Sequence, residues 1–440
     1  MTPGSKSIRL GPDCLLYLAA LAFGVALRLV YPSDVHYLPD QIYNYTHGMS
    51  MGSSEPWSWL GMNSSAGFRN PGMSTWVFVL LVKLFGVTRP VQLARAVATL
   101  NIAALVLVGV WAAVQMRGPE RREWLAAGAL AAVNPAGIWL QRTIWAPSTL
   151  PFFVVLFWIG LWNRRRWWGA LLWGAIGACL GQVQLAGFFA ASGVFLWVLL
   201  FRRRSANWWA FGIGTALTAW PVLFWLTYVV HGEYTRTTWT FWQHFPGKVW
   251  LWWLLTDSGL SAKYLASNLW MTDFFDFLKE PRIAGAPTYG MLLIHALLAF
   301  LMARAILLSV LGVIRRRASS LLGFLGGDTE TAFILRAALI GFGGLISLMP
   351  APVFVHYFLT VFPIGFVWVA RLLSRSPFSS FGTPRLPLVA AVVLQLLISL
   401  TAAAYVHRVR GAPPDSFGLR MPQVKSIYVA PLRGEAQNHI

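Results

Sequence analysis

The chain has 440 residues, of which 57% are hydrophobic, 15% aromatic and 11% charged. Soluble globular proteins are about 25% charged, so the composition excludes that class, and the long apolar runs indicate an integral membrane protein. The net charge of +20 comes from arginines in short clusters between apolar runs, a pattern typical of topology signals rather than of nucleic-acid binding. Two cysteines, both inside apolar runs, are too few for a disulfide framework.

The first apolar run, residues 14–30, follows a polar N-terminus and lacks a small-residue cleavage site, which predicts a retained span rather than a signal peptide. Basic clusters then separate the later runs, and the positive-inside rule places all of them in the cytoplasm. An even number of spans must therefore lie between neighbouring clusters. These clusters are Lys6/Arg9, Arg117/Arg121/Arg122, Arg164–Arg166, Arg202–Arg204, Arg315–Arg317 and Arg371/Arg375.

This parity predicts an all-α polytopic membrane protein with about 11 transmembrane helices. The apolar stretch 73–86 is short and carries Lys83, so we expect it to lie in or dip into the outer interface. The predicted spans are 14–30, 92–114, 124–141, 148–162, 167–183, 185–201, 208–230, 290–312, 331–349, 353–373 and 386–405.

Four regions follow from this topology. They are an N-terminal transmembrane module (1–230) containing the first external loop (31–91), an external Trp-rich loop (231–289), C-terminal transmembrane helices (290–406) and an external tail (407–440). The Trp-rich loop is expected to form either amphipathic helices on the outer leaflet or aromatic platforms for a sugar or lipid head. Its tryptophans include Trp239, Trp242, Trp250, Trp252, Trp253 and Trp270.

No Asp or Glu is predicted near the middle of a span. A charge there costs roughly 2.5–3.5 kcal/mol on insertion scales and persists mainly in ion or proton pathways. Its expected absence, with no inverted hydropathy repeat, argues against a proton-coupled transporter and places any chemistry at the external face.

Two aspartates stand in the first external loop, in "YPSDVHYLPDQIYNYTHG". Asp40 follows Pro39 and is placed to start a short helix that continues through Tyr43. Asp40, with Asp34 as a secondary candidate, fits a catalytic base or a cation ligand. The alternative is that both carboxylates cap a juxtamembrane helix.

Basic and polar residues near the outer ends of the spans are candidates for binding a phosphate or a substrate. Arg69 fits a phosphate contact where a loop meets the interfacial helix, and snorkelling to lipid headgroups fits its position at least as well. Arg28, Arg142, Gln184, His356 and Tyr357 are each, taken alone, more typical of an interfacial anchor. The candidates are Arg28, Tyr43, Arg69, Asn70, Arg142, Gln184, His356 and Tyr357.

The order of these elements resembles the multi-spanning GT-C glycosyltransferases, in particular the bacterial protein O-mannosyltransferase-like and aminoarabinose-transferase-like families. Shared features are an arginine late in the first span, an acidic external loop and a Pro-led apolar helix ending "KLFG". The matching stretches here are Asp40-Gln41, "RNPGM" (69–73), "NPAGIWLQR" (134–142) and "HYFLTVFP" (356–363). Gln41 stands where the family often has Glu, and His356 replaces its usual arginine, which makes phosphate recognition there depend on protonation.

The resemblance implies a glycosyltransferase of the bacterial inner membrane, with its active site facing the periplasm. A polyprenyl-phosphate sugar donor enters from the outer leaflet, and Arg69, Arg142 and His356 neutralise its phosphate. Asp40 takes a proton from a lipid, glycan or protein acceptor that attacks the anomeric carbon with inversion. No nucleotide fingerprint is present; a divalent metal is compatible with the loop but not required by it.

Two other functions fit the same topology. A flippase or transporter of lipid-linked glycans predicts functional residues in mid-membrane, whereas a lipid-linked glycan polymerase or ligase shares the external site. In each case the partners are membrane lipids and lipid-linked sugars, and nucleic acid is not expected.

Overall fold

The computed structural model describes residues 11–35, 37–64, 67–231, 247–260, 271–315, 325, 327–349, 353–374 and 386–408. In this part of the chain the protein is mainly helical, with two short two-stranded sheets. The predicted tail from residue 409 onward, the clusters at Lys6/Arg9 and Arg316–Arg317, and Trp239, Trp242 and Trp270 lie outside the described residues.

The N-terminal half begins with helix α1 and then forms a small cap before the next long helix. Its elements are α1 (Pro12–Leu29), α2 (Pro39–Ser50), β1 (Leu60–Asn63), β2 (Arg69–Pro71), α3 (Met73–Phe85), α4 (Pro90–Gln115), α5 (Gly118–Val133), α6 (Pro135–Leu140), α7 (Ala146–Trp162), α8 (Trp167–Val183), α9 (Ala186–Arg202) and α10 (Trp208–His231). Strands β1 and β2 pair antiparallel.

The C-terminal half contains two short helices, a small hairpin and five further helical segments. They are α11 (Lys248–Asp257), α12 (Met271–Leu278), β3 (Arg282–Ile283), β4 (Ala286–Pro287), α13 (Gly290–Arg315), α14 (Glu330–Ser347), a 3-10 segment (Val355–Val361), α15 (Ile364–Ser374) and α16 (Leu386–Arg408). Helix α14 contains a π-helical stretch at Ala337–Phe342.

Among the described helices, seven are long and apolar enough to cross a membrane: α1, α4, α9, α10, α13, α14 and α16. An eighth is present if the 3-10 segment and α15, which meet at 90°, form one broken span. The protein is therefore a multi-pass helical membrane protein. The predicted spans 124–141, 148–162 and 167–183 coincide with shorter helices, so the count of 11 stays a prediction.

One end of the helix bundle collects the basic clusters whose side chains the structure describes, as their shared side in the topology predicts. The guanidinium groups of Arg164 and Arg202 both bind the carboxylate of Glu330. Arg371 pairs with Glu123 at 2.8 Å. These contacts join the starts or ends of α5, α7, α9, α14 and α15, and we call this the arginine-rich end.

The opposite end carries α2, the β1–β2 hairpin and α3, and we call it the α2 end. Helix α1 links the two ends, since Asp13 in its first turn lies 3.7 Å from Arg122 and α2 follows its last turn. Helix α3 packs against α2, β1 and α4. Pro71 does not open α3 as the sequence predicts: it ends β2, and α3 starts at Met73 because the hairpin occupies the preceding residues.

Close helix packing in the core depends on small residues, as is common where lipid removes the hydrophobic drive for helix association. Gly193 of α9 lies against Gly341 in the π-helical stretch of α14. A Cβ on Gly193 would stand 2.5 Å from the Gly341 carbonyl carbon, and a Cβ on Gly341 would stand 2.6 Å from the Gly193 oxygen. The two backbones therefore lie closer together than a side chain at either glycine position would permit.

Helix α11 corrects the expectation for the predicted Trp-rich loop. Trp253 is fully buried and stacks on Phe358, with ring centroids 5.5 Å apart. Trp250 donates to the Leu339 carbonyl at 2.8 Å. This part of the loop therefore folds back into the helix bundle, because its apolar face finds more burial there than on a surface.

The same helix also overturns the prediction that no acid lies near the middle of a span. The Nε2 amide of Gln395 in α16 donates to the backbone oxygen of Ser258 at 2.9 Å and to that of Asp257 at 3.4 Å. At a rise of about 1.5 Å per residue, Gln395 lies roughly 14 Å from the Leu386 end of α16 and roughly 20 Å from the Arg408 end. Asp257 is thus at mid-span depth.

The glycine contact between α9 and α14 gives a stability prediction. Gly193→Ala is expected to lower stability by about 1–3 kcal/mol, because the added methyl overpacks a backbone contact. The measurement is thermal unfolding of the purified protein in detergent. Gly212→Ala in α10 is the matched control, since its Cβ meets nothing within 4 Å, and we expect unchanged or slightly higher stability there. Equal behaviour of the two variants would contradict the close contact.

Candidate functional site

Helix α2 starts where the sequence predicts, at the Pro39–Asp40 step. Pro39 occupies the first helical position, where its missing N–H is not needed. The side-chain oxygen of Gln41 accepts from the Leu38 backbone N–H at 2.9 Å. Gln41 therefore caps the helix start through its side-chain oxygen.

Asp40 lies in the first turn of α2 and meets two segments distant in sequence. The indole N–H of Trp145 is close enough to act as a donor to its carboxylate. The Trp145 ring in turn packs edge-on against His356, with ring centroids 4.4 Å apart. The Asn44 amide reaches the Ile144 oxygen at 3.4 Å, one turn further along α2. Two predicted site residues, Asp40 and His356, are thus brought together through a third side chain.

The electrostatic surroundings of Asp40 suit a proton acceptor. The side chain is partly buried, and no cation of the described residues lies in ion-pair distance of its carboxylate. Burial raises the pKa of Asp40, and the Trp145 hydrogen bond opposes that rise. A carboxylate that is not neutralised by a cation keeps its basicity, which general-base catalysis requires.

Tyr43 and Arg69 form a second cluster on the same face of α2, since Tyr43 lies three residues after Asp40. The Arg69 guanidinium donates from Nη2 to the Tyr43 hydroxyl at 3.1 Å and from Nε to the Gly61 oxygen at 2.8 Å. Among the described residues its Nη1 has no hydrogen-bond partner. Arg69 is therefore held at the hairpin with donors left for an anion.

Three other candidates lie near these clusters with different surroundings. The Asn70 amide donates to the Met62 oxygen at 3.1 Å across the hairpin. Tyr357 is largely buried next to His356, with ring centroids 4.6 Å apart. Gln184 caps the end of α8 through its backbone N–H, and no contact of its side chain joins it to Asp40 or Arg69.

Arg28 is buried, with 1% of its surface exposed, and all its donors are used inside the protein. Its guanidinium donates to the carbonyl oxygens of Gly24, Ala131 and Ala132 and twice to the side-chain oxygen of Gln141. These bonds tie α1 to the end of α5. The structure therefore gives Arg28 a packing role and leaves its predicted contact with a substrate untested.

Arg142 binds the last turn of α1 in the same manner. Its guanidinium donates to the oxygens of Leu27, Val30 and Tyr31 at 3.2, 2.6 and 2.6 Å. A cation at a helix C-terminus stabilises the partial negative charge of the unpaired carbonyls. This cap also positions Trp145, which stands three residues later, directly before α7, and meets Asp40.

Asp34 is separated from the Asp40 cluster by its own partner. Its Oδ2 lies 2.8 Å from Nδ1 of His407 at the end of α16. The His407 ring stacks on Tyr31, with centroids 3.7 Å apart. Asp34 is 4% exposed, so the structure engages this secondary candidate in a contact between α16 and the segment after α1.

The described residues contain no group of three or more His, Cys, Asp or Glu side chains that could hold a metal ion. Trp145 is the residue of the cluster that sequence reasoning missed. Its signal was its place in "QRTIWAPS", directly before the start of α7 and three residues after Arg142.

Comparisons of the chain with known protein families, with curated proteins and with solved structures gave no match. The function is therefore argued from the geometry of the α2 end.

The Arg142 cap generates a prediction that separates structure from substrate binding. Arg142→Ala is expected to lower stability by about 2 kcal/mol or more, since one hydrogen bond from a charged donor contributes about 1.5–3 kcal/mol. Thermal unfolding in detergent measures this, with Arg165→Ala as control because Arg165 is exposed at the opposite end. An unchanged unfolding temperature for Arg142→Ala would show that its bonds to α1 do not stabilise the fold.

Proposed function

We propose that the protein is a glycosyltransferase that moves a sugar from a polyprenyl-phosphate donor to an acceptor at the α2 end of the bundle. One observation carries the proposal: Asp40, unpaired with any described cation, stands beside Trp145, which packs against His356, and lies one helical turn from the Tyr43–Arg69 pair. Sugar transfer with a phosphate leaving group needs a base and an anion-binding group, and the two clusters supply them on one face of α2.

The chemistry divides between these two clusters. Asp40 accepts the proton of the acceptor hydroxyl or amine as that group attacks the anomeric carbon, and the Trp145 N–H orients the carboxylate. Arg69 meets the phosphate with Nη1, which has no partner among the described residues, and stabilises the negative charge that develops as the sugar–phosphate bond breaks. Attack from the face opposite the leaving phosphate inverts the anomeric centre. Arg142, in contrast, has three donors committed to α1 carbonyls.

The membrane setting supports the same assignment. The apolar faces of α3 and α10 border the hairpin, where the Trp225 indole donates to the Arg69 oxygen at 2.8 Å, and Trp59 stacks on Phe224 with centroids 4.6 Å apart. An aromatic wall beside a cation suits a lipid chain with a phosphate head. By the positive-inside rule, the arginine-rich end is cytoplasmic and the α2 end faces the periplasm of a bacterial inner membrane, in an 11-span topology with α3 at the interface.

Asp40→Asn tests the proposal directly. We expect sugar transfer from a synthetic polyprenyl-phosphate donor to fall at least about 100-fold, the range for loss of a general base, while the unfolding temperature stays near that of wild type. Asp276→Asn is the matched control, since Asp276 is half-exposed and pairs with Lys279. Transfer that persists in Asp40→Asn would exclude Asp40 as the base.

The pH dependence of transfer gives a second test. Burial raises the pKa of Asp40, so kcat/KM should decline on acidification at a pH above the usual carboxyl range, as the carboxylate gains a proton. Trp145→Phe removes the donor that favours the ionised form, and it should move this decline to higher pH. The check is a pH profile of kcat/KM for both proteins; an unshifted profile would contradict the Asp40–Trp145 bond.

A second candidate function is the movement of lipid-linked glycans across the membrane. The observation that favours it is the buried carboxyl of Asp257 at mid-span depth, since such groups mark substrate and ion pathways. Transfer abolished by Asp40→Asn and retained by Asp257→Asn supports the enzyme. Lipid movement in vesicles that depends on Asp257 and not on Asp40, without sugar transfer, supports translocation.

A further inference from the structure

Asp257 ends helix α11 with its carboxyl group inside the bundle. Oδ2 accepts from the indole N–H of Trp253, one turn earlier, at 2.9 Å. Gly365 of α15 makes room for both groups: a Cβ there would stand 1.7 Å from Oδ2 and 2.1 Å from the indole nitrogen. The contact between α11 and α15 is thus shaped around this carboxyl group, which is 6% exposed.

The other carboxyl oxygen, Oδ1, has no hydrogen-bond partner among the described residues. Asp257 lines a narrow cavity of about 20 Å³, room for a single water molecule. Gln141 lines the same cavity; its side-chain oxygen is held by Arg28, and its Nε2 has no described partner. The remaining wall is mostly apolar, with Val355 and Phe358 on one side.

The elements packed against α11 bring no cation to this carboxyl. Arg28 is bound behind the Gln141 oxygen, Arg142 caps α1 and the His356 ring faces Trp145. The other charged or titratable groups of these elements sit elsewhere along them: Lys248 on α11, Glu330 and Arg336 on α14, Tyr357 on the 3-10 segment, Arg371 on α15 and His407 and Arg408 on α16. Asn134 and Gln395, which meet the α11 backbone, are neutral.

An ionised carboxylate at such a place would have one neutral donor and no counter-ion among the described residues. Burial in an apolar setting disfavours that charged form strongly. A neutral acid fits better, because the indole N–H meets the Oδ2 carbonyl oxygen and the Oδ1 hydroxyl is left to donate into the cavity.

We propose that this cavity is a proton-binding site in the membrane interior, where Asp257 holds a proton on Oδ1 and exchanges it with one water molecule seated against Gln141. In the exchange the Oδ1–H bond breaks, its electron pair stays on the carboxylate, and the water oxygen binds the proton as hydronium. The Trp253 N–H and the Gln141 amide are the hydrogen-bond donors that stabilise the transient negative charge of the carboxylate. The site does not depend on the proposed sugar transfer at Asp40.

Infrared difference spectroscopy between wild type and Asp257→Asn in detergent at pH 7 tests the proposal. The expected result is a protonated carboxylic-acid carbonyl band that is lost in the variant and that shifts in heavy water, because the O–H becomes O–D. Asp276→Asn should leave this band unchanged. Absence of the band, or a band that heavy water does not shift, would overturn the proposal.

Trp253→Phe supplies a second variant that retains the acid. The carboxylic-acid band should persist at a shifted frequency, because the carbonyl oxygen of Asp257 loses its hydrogen bond from the indole. An unchanged frequency would show that the band comes from a carboxylic acid other than Asp257. This measurement on an acid-retaining chain remains available if Asp257→Asn does not fold.

Discussion

Asn134 supplies the interaction on which the arrangement of the core depends. The chain breaks between α5 and α6 at this residue, and a break in a lipid-embedded helix leaves polar backbone groups that water cannot satisfy. The Asn134 side-chain oxygen accepts from the Gly137 N–H at 2.7 Å, and its amide donates to the Thr256 oxygen at 2.9 Å and to the Gln395 side chain at 3.2 Å. One buried amide thus joins a helix break, the end of α11 and the middle of α16.

The break sets the course of the chain toward the candidate site. Helix α6 delivers Gln141 to Arg28 and Arg142 to the end of α1, and Trp145 follows at the start of α7. The two arginines therefore act as internal ties between helices. Arg69 is held by the hairpin outside this network. Unlike Arg28 and Arg142, it therefore keeps a donor for the proposed phosphate.

Two carboxyl groups, one partly exposed and one enclosed, lie near the Val355–Val361 segment. His356 of this segment faces the Trp145 that binds Asp40, whereas Val355 and Phe358 line the cavity at Asp257. Asp40 is partly exposed and suited to exchange protons with an acceptor substrate. Asp257 is enclosed and suited to retain a proton. Both groups are aspartate carboxyls, so the difference in exposure is what suits Asp40 to act as a base and Asp257 to hold a proton.

The sequence by itself determined the membrane class, the sites of most long helices and the shared end of the basic clusters, because hydropathy and arginine placement are local properties of the chain. It also indicated the start of α2 at Pro39–Asp40. Tertiary structure decided that Trp145 reaches Asp40, that Arg28 and Arg142 serve α1, and that Asp257 is buried. These three contacts depend on which apolar segment packs inward and on which backbone carbonyls need a hydrogen-bond donor. Neither is determined until helices that are distant in the sequence pack together.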